Sequence, residues 1–176
     1  MSWASCLETD RLALQHLTLD DAGLMLAIWN DPAFMRHVGD RGIRTMADAE
    51  EAMRQGILRL YEDYGYGPFR VALRETGQPI GISGLFRRDC FDVPDIGYAT
   101  LPEFCGHGYA YEAACAVIDN AAAGLGLGRL VAIISPENAA SIALIRKLGF
   151  DFERMCRMPD AGDDVAVYGK SLNNNG

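Results

Sequence analysis

The feature that most constrains this chain is the stretch CGHGYAYEA, residues 105–113, in which two glycines one residue apart lead into a helical pattern. Glycine weakens a regular element, so paired glycines at a helix start indicate close approach of something to the backbone. A strand ending near Leu101, a short loop and a helix starting near Gly108 present unpaired N–H groups at the positive end of a helix dipole. Because Gly106 and Gly108 carry no side chains to obstruct these amides, the stretch predicts a phosphate or pyrophosphate site. A plain loop punctuated by glycines is the alternative interpretation.

The other glycine cluster favours a different role. Gly124, Gly126 and Gly128 follow a helix instead of opening one, so they meet the C-terminal end of a dipole, which repels phosphate. We expect a helix cap and a loop there. The chain has no GxxxxGK[ST] phosphate loop and no GxGxxG after a first parallel strand, which argues against ATP and NAD.

The length limits the number of domains, and the charge limits the class of partner. A chain of 176 residues is long enough for one domain with a well-buried core and short for two, so we expect a single domain over residues 1–176. With 24 acidic and 16 basic residues the formal charge is −8, and no block of Lys and Arg stands out. This balance argues against a nucleic-acid partner and favours a cationic or amine-bearing one. We expect a monomer or a homodimer.

Two further patterns predict the cellular compartment of the protein and the redox state of its cysteines. The N-terminus lacks a basic segment followed by an apolar run, and no stretch approaches the roughly 18 apolar residues needed to span a bilayer. We therefore expect a soluble, cytoplasmic protein with no membrane partner. The five cysteines are scattered, with no CxxC pair and no histidine at metal-ligand spacing, which predicts reduced thiols and no bound metal.

The first half of the chain predicts a strand, two helices and a hairpin. Residues 11–15 alternate like an edge strand, and a capping box at Thr18 opens a helix that ends before Pro32. A second box at Thr45 precedes the clearest amphipathic helix, which continues to Tyr64. From there the apolar period changes to two, which indicates strands over residues 69–73 and 80–82, joined by a turn, and a third strand over 95–101.

The second half alternates helices and strands. We predict a helix from Gly108 to Gly124, an apolar strand over 129–134, and a helix from Asn138 to a left-handed cap at Gly149. Strands over 152–158 and 165–171 finish the domain, and the tail over 173–176 is expected to be frayed. The order predicts an α+β fold: a mixed, mostly antiparallel twisted sheet of about seven strands with about four helices on its two faces.

Several motifs coincide along nearly the whole chain. They are LETDRL at residues 7–12, IGY at 96–98, PEFCGHGYAYEA at 102–113, NAAS at 138–141 and KLGF at 147–150. Together they resemble the GNAT family of N-acetyltransferases, and within it the branch that includes enzymes acetylating the N-termini of ribosomal proteins. The resemblance extends over about residues 7–172 and implies the GNAT fold.

That resemblance implies acetyl-CoA as co-substrate. The pyrophosphate would lie on the backbone of the glycine loop, that is on Cys105, Gly106, His107, Gly108, Tyr109 and Ala110. The strand over 96–101 would splay from its neighbour and pair with the pantetheine arm through Tyr98, Ala99, Thr100 and Leu101. Cys105 stands where the family usually has Arg or Gln, so this chain lacks a polar side chain there but keeps the amides.

The resemblance also suggests roles at the start of the last helix. Asn138 matches a position that contacts the cofactor, and a helix N-cap is an equally physical role for it. Ser141 matches a position that can lie near the thiol and protonate the leaving thiolate; the alternative is a solvated or capping serine. In many relatives a tyrosine that serves as the general acid stands where this chain has Ile145. Tyr98 is the better nearby candidate for that role, and packing on the sheet is its alternative role.

The expected reaction is direct attack of a neutral amine on the thioester in a ternary complex, with no covalent acetyl-enzyme. Asp95, and less favourably Glu103, are candidates for accepting the amine proton, although either carboxylate could simply be solvated. A peptide α-amine with a pKa of about 8 is roughly 10% neutral at pH 7, whereas a lysine amine is neutral at a few parts in ten thousand. An uncertain base therefore favours a protein or peptide α-amine. The alternatives are a small amine such as a polyamine, an aminoglycoside or an amino acid, or a CoA-binding module without turnover.

Overall fold

A computed structural model describes residues 2–159 and 162–172, and in it eight strands form one sheet with the order β1-β2-β3-β4-β5-β6-β8-β7. The strands are β1 (Cys6–Glu8), β2 (Leu12–His16), β3 (Pro68–Leu73), β4 (Pro79–Phe86), β5 (Asp95–Thr100), β6 (Arg129–Ile134), β7 (Asp151–Arg157) and β8 (Asp164–Ser171). The helices are α1 (Ala22–Trp29), α2 (Pro32–His37), α3 (Met46–Gln55), α4 (Ile57–Tyr64), α5 (Tyr109–Leu125) and α6 (Ala139–Lys147). The α+β class is confirmed.

The sheet consists of two antiparallel groups joined by one parallel contact. Strands β1 to β5 form a meander, and β6, β8 and β7 form the second group. The contact between the groups is the parallel pair β5 and β6, which α5 connects as a crossover. This strand-helix-strand crossover places the glycine loop at the junction.

The structure has more elements than the sequence predicts. Strand β1 is an eighth strand that covers the outer side of β2, so the prediction that residues 11–15 form an edge strand is wrong. The described part of the chain forms six helices, whereas about four were expected. A proline opens the short helix α2, and the amphipathic helix predicted through Tyr64 divides into α3 and α4 at Gly56, whose φ of −119° and ψ of −91° are not helical.

The predicted caps are mostly correct. Both capping boxes form, although the one at Thr18 opens a 3₁₀ turn that continues into α1. Gly149 closes α6 in the left-handed region, at φ 87°. Helix α5 ends at Leu125, slightly later than predicted. Gly124 lies inside the helix, and Gly126 supplies the left-handed cap. The prediction for residues 173–176 lies outside the described residues.

Two large apolar clusters pack on the sheet, beside a small one formed by Phe91, Val131 and Val167. The first joins α5 and α6 to the strands, and its largest fully buried side chains include Leu12, Phe69 and Ile145. The second joins α1 and α3 to Ile82 and to the partly buried Ala99. Strand β5 contributes to both, because alternate side chains of a strand point to opposite faces. None of the helices in the described part of the chain is long and apolar enough to cross a membrane.

Candidate active site

A cleft opens in the middle of the sheet, where β5 and β6 diverge. The two strands pair only between Asp95 and Val131. Beyond that point β5 continues to Thr100 with a partner on one side only, which is β4. The splay that the resemblance implied for this strand is therefore present.

The backbone of β5 directs alternate residues toward the cleft. The N–H of Leu101 donates to Ile80 in β4 at 2.8 Å, while the carbonyl of Pro94 accepts from Val131 in β6 at 3.2 Å. Successive residues of a strand point their N–H and C=O groups to opposite sides, so even-numbered residues face β6. The polar groups of Ile96, Tyr98 and Thr100 consequently line the open edge. Those of Ala99 and Leu101 point toward β4.

The cleft leads into the glycine loop. After a 3₁₀ turn over Pro102–Phe104, Gly106 and Gly108 take φ values of 82° and 79°, and Gly108 is the N-cap of α5. A Cβ added to Gly106 would meet no atom within 4 Å. Within the described residues, the amides of residues 106–111 donate to no acceptor of the protein. The loop thus offers free N–H groups at the positive end of a 17-residue helix, which is an arrangement that suits a phosphate.

A brace from the β1–β2 turn holds this loop, and the sequence reasoning missed it. Arg11 donates to the carbonyl of His107 at 2.9 Å and to the Glu112 carboxylate at 2.7 Å. Glu112 also accepts from the Thr9 hydroxyl at 2.6 Å and from the Arg11 backbone at 2.9 Å. Partial burial opposes the shift, but these hydrogen bonds lower the pKa of Glu112 below its usual value. Both residues belong to quoted motifs, yet no local pattern joins residues 101 positions apart.

Cys105 lies exposed at the entrance to the loop, with its Sγ 3.7 Å from the Thr100 carbonyl and 3.6 Å from that of Leu101. Partial burial and the carboxylates of Asp31 and Glu103 raise the pKa of the Cys105 thiol. A thiol with a raised pKa is a poor nucleophile at neutral pH. This agrees with direct attack by the amine, without an acetyl-cysteine intermediate.

Two hydroxyl groups meet beside the cleft. The Tyr98 hydroxyl lies 2.9 Å from the Ser141 hydroxyl and 3.3 Å from the Ser141 carbonyl, which it can also reach as a donor. The Asn138 side chain caps α6 by accepting from the Ser141 N–H at 3.2 Å. Burial raises the pKa of the Tyr98 phenol, and the hydrogen bond to Ser141 offsets part of that shift. The phenol therefore stays protonated at neutral pH and can donate.

Asp95 lies apart from these hydroxyls. It is 3% exposed and, by strand alternation, points to the opposite face of β5 from Tyr98. Arg88 donates to its Oδ2 at 3.2 Å, and its buried Oδ1 has no hydrogen-bond partner among the described residues. Burial raises the pKa of Asp95, against the opposing effect of the Arg88 charge. Any exchange of a proton with an amine would have to pass through a water.

The remaining predicted positions fall into clear places. Ile145 is fully buried in the first apolar cluster, so the position that carries an acidic tyrosine in many relatives is core here. Glu103 is exposed on the 3₁₀ turn before the loop. Among residues 2–159 and 162–172 there is no cluster of three or more groups that could hold a metal ion.

A strand with a free backbone edge that runs into a glycine loop at a helix N-terminus suits an extended ligand that carries a phosphate. The profile of the Acetyltransferase (GNAT) domain matches residues 11–151. The chain therefore belongs to the GNAT family of acetyltransferases. It is an acetyl-CoA-dependent N-acetyltransferase with acetyl-CoA as its co-substrate, as predicted.

Two curated relatives have similar length. The chain is 31% identical to the uncharacterized N-acetyltransferase p20 of Bacillus licheniformis over 152 residues, which is 86% of this chain and 85% of p20. It is also 31% identical to the uncharacterized N-acetyltransferase YoaA of Bacillus subtilis (strain 168), over 86% of this chain and 85% of YoaA. Neither name specifies an acceptor.

Solved structures of acetyltransferases share the fold. The acetyltransferase of Agrobacterium tumefaciens str. C58 superposes with a TM-score of 0.79 at 27% identity, over 95% of this chain and 94% of the other. RimL, a ribosomal L7/L12 alpha-N-protein acetyltransferase in complex with coenzyme A, has a TM-score of 0.79 at 16% identity, over 94% and 97%. A spermidine N-acetyltransferase SpeG chimera from Vibrio cholerae and hSSAT has a TM-score of 0.75 at 17% identity, over 92% and 95%. At such identities the last two show the fold alone.

Proposed function

We propose that this enzyme transfers the acetyl group of acetyl-CoA to a protein or peptide α-amine, by direct attack in a ternary complex. The observation that carries the proposal is the open edge of β5, which leads through one 3₁₀ turn into the free amides of the glycine loop. An extended pantetheine arm can lie along that edge as an added strand. Its pyrophosphate then reaches the loop.

The proposed cofactor contacts follow from this placement. The pyrophosphate takes the free amides of residues 106–110, while the Cys105 N–H already donates to the Pro102 carbonyl at 3.3 Å and contributes through the position of the loop. The pantetheine amides pair with the backbone of Tyr98 and Thr100. The side chains of Asn138 and Ser141 stand at the start of α6, beside the cleft, with the Ser141 hydroxyl in contact with that of Tyr98. The backbones of Ala99 and Leu101, which point to β4, would contribute through the position of the strand.

In the proposed reaction the amine nitrogen attacks the thioester carbonyl carbon and forms the N–C bond. The C–S bond then breaks, and sulfur leaves as a thiolate. A backbone N–H on the open edge of β5 stabilises the oxyanion, since it is fixed in place before the charge develops. The Ser141 hydroxyl protonates the thiolate, and Tyr98, 2.9 Å away, replaces the proton on Ser141. The attacking nitrogen releases its proton to solvent water, and solvent returns a proton to the Tyr98 phenolate, so the step is balanced.

The burial of the candidate base supports an α-amine as acceptor. Asp95 is enclosed and paired with Arg88, so the site offers no open carboxylate at this position to deprotonate a strongly basic amine. A peptide α-amine, with a pKa of about 8, needs the least help at neutral pH. RimL, whose name describes an acetyltransferase of a protein α-amine, shares the fold over nearly its whole length.

A small cationic amine is the second candidate. The formal charge of −8 attracts polycations, and a spermidine N-acetyltransferase chimera has the same fold. The acidic balance also favours the positively charged N-terminus of a peptide, so it does not separate the two candidates. In this proposal the enzyme is a monomer or a homodimer, and it meets protein N-termini in the cytoplasm.

A matched panel of acceptors tests the proposal. Purified enzyme and acetyl-CoA are incubated with peptides that have a free N-terminus, with the same peptides blocked at the N-terminus but carrying a lysine, and with spermidine and an aminoglycoside. Release of the CoA thiol is the readout. We expect turnover with free N-termini only, and kcat/KM that rises about tenfold per pH unit below the α-amine pKa of about 8. Turnover confined to spermidine or the aminoglycoside would transfer the assignment to small amines.

A further inference from the structure

The glycine loop is held in place by a residue from the far end of the chain. Arg11 belongs to the turn between β1 and β2, yet its guanidinium lies 4.5 Å from the ring centre of Tyr109 and donates to the carbonyl of His107. Its Nη2 would be 3.4 Å from a Cβ placed on Gly108. Arg11 therefore contacts three consecutive residues of the loop and of the start of α5.

We propose that Arg11 is a positioning residue for acetyl-CoA: by holding the His107 carbonyl, it aims the amide of Gly108 at the pyrophosphate. The inference rests on the proposed pyrophosphate site. In this proposal Arg11 does not contact the co-substrate directly. It controls the orientation of the peptide plane between His107 and Gly108.

The geometry of the peptide bond supplies the mechanism. The bond between His107 and Gly108 is planar and trans, so its C=O and N–H groups point in opposite directions. Arg11 binds the carbonyl at 2.9 Å on one side of the loop. The Gly108 N–H must then point to the other side, where it donates to no acceptor within the described structure. Gly108 itself, with φ of 79°, is a residue whose peptide plane can rotate readily in the absence of such a contact.

The charge of the brace is balanced. A lone cation near the N-terminus of α5 would be unfavourable, because that end of the helix dipole is positive. Glu112, in the first turn of the helix, neutralises Arg11 through the 2.7 Å ion pair. The three hydrogen bonds that Glu112 accepts from Thr9 and Arg11 also fix the guanidinium in its orientation. The site keeps the favourable potential of the dipole on its open side.

The chain provides a matched control in Arg74. This arginine contacts the same turn, with Nη1 2.8 Å from the Thr9 carbonyl and Nη2 3.8 Å from Glu8, and none of its hydrogen bonds reaches the glycine loop. The side chains of Arg11 and Arg74 are both 47% exposed. Loss of Arg74 therefore weakens the turn and removes one positive charge without releasing the His107 carbonyl.

Calorimetric titrations of CoA and of pantetheine, which lacks the pyrophosphate, test the role. We expect Arg11→Ala to raise the Kd for CoA at least tenfold and to change the Kd for pantetheine less than twofold. Arg11→Lys, which can reach His107 but cannot also fork to Glu112, should fall between, and Arg74→Ala should bind both ligands like the wild type.

Three results would overturn the inference: an unchanged Kd for CoA in Arg11→Ala, an equal loss of CoA and pantetheine binding, or an equal loss of CoA binding in Arg74→Ala. The second would indicate a general structural role for Arg11. A wild-type protein that does not bind CoA would remove the proposed pyrophosphate site and this inference together, and that failure differs from the others because it needs no variant.

Discussion

The hydroxyl groups of Tyr98 and Ser141 lie 2.9 Å apart, and they join β5 to α6 beside the opening of the sheet. One residue comes from the strand that would bind the pantetheine arm, and the other from the first turn of the last helix. This chain has a buried isoleucine, Ile145, at the position that the resemblance gives to a general-acid tyrosine. The pair of hydroxyls offers a proton donor in its place. Three of the predictions concern this cleft and its loop.

Ser141→Ala is expected to lower kcat at least tenfold and to change the Kd for CoA less than twofold, since general-acid catalysis contributes about 10²–10⁴ in rate. The helix start should survive, because Asn138 caps the backbone N–H of residue 141 and not its hydroxyl. Ser135→Ala, in the loop before the same helix, is the control. Steady-state kinetics and calorimetry provide the two numbers. Unaltered turnover would leave Ser141 as a helix-start residue.

Tyr98→Phe is expected to lower kcat by a similar factor, because it removes the hydroxyl that supplies a proton to Ser141 and keeps the ring that packs in the first apolar cluster. If the two hydroxyls act as one unit, the double variant should be no slower than the slower single variant. A double-mutant cycle on kcat measures the coupling. Purely additive losses would contradict a shared role.

Gly108→Val is expected to weaken CoA binding at least tenfold, because a branched side chain beside the free amides obstructs them and its Cβ, 3.4 Å from Nη2 of Arg11, presses on the residue that holds the loop. Its φ of 79° also makes the substitution strained, by about 1–2 kcal/mol. Gly77→Val separates the two effects: Gly77, in the β3–β4 turn, has φ of 75° and open space around a built Cβ. Both variants should lose similar stability in urea unfolding, and only Gly108→Val should lose affinity. Equal affinities in calorimetry would remove the loop assignment.

Local sequence patterns predict the helices and strands of this fold better than the contacts between distant segments. Period-two alternation and capping residues are properties of neighbouring positions, so most of the helices and the hairpin could be predicted. Strand β1 has only three residues, too few for a periodic signal, and its omission made β2 look like an edge. The break at Gly56 was missed because the apolar face of the predicted helix continues through it.

The candidate site shows the same division. The loop could be predicted because paired glycines before a helix have a local physical meaning, and the resemblance supplied the splay. The brace of Arg11 on His107 and Glu112 depends on a contact between distant segments. The enclosure of Asp95 depends on the packing around β4 and β5, and nothing in its sequence neighbours distinguishes a buried carboxylate from a solvated one.

Asp95 also makes stability depend on pH. Because burial raises its pKa in the folded protein, the folded state holds this proton more tightly than the unfolded chain. The carboxyl group is neutral in both states below the unfolded pKa of about 3.9, and it destabilises the fold as pH rises through the raised folded value. Arg88 offsets part of that cost.

Asp95→Asn, which cannot ionise, is therefore expected to be more stable than the wild type at pH 8, and the difference should shrink as the pH falls toward 4. Urea unfolding at several pH values measures it, with Asp92→Asn, at an exposed position in the loop before β5, as control. A difference independent of pH would contradict the effect of burial. If the carboxylate also accepts the amine proton through water, the stabilised variant should be slower by at least tenfold; a stabilised variant of unchanged kcat would leave Asp95 outside the reaction.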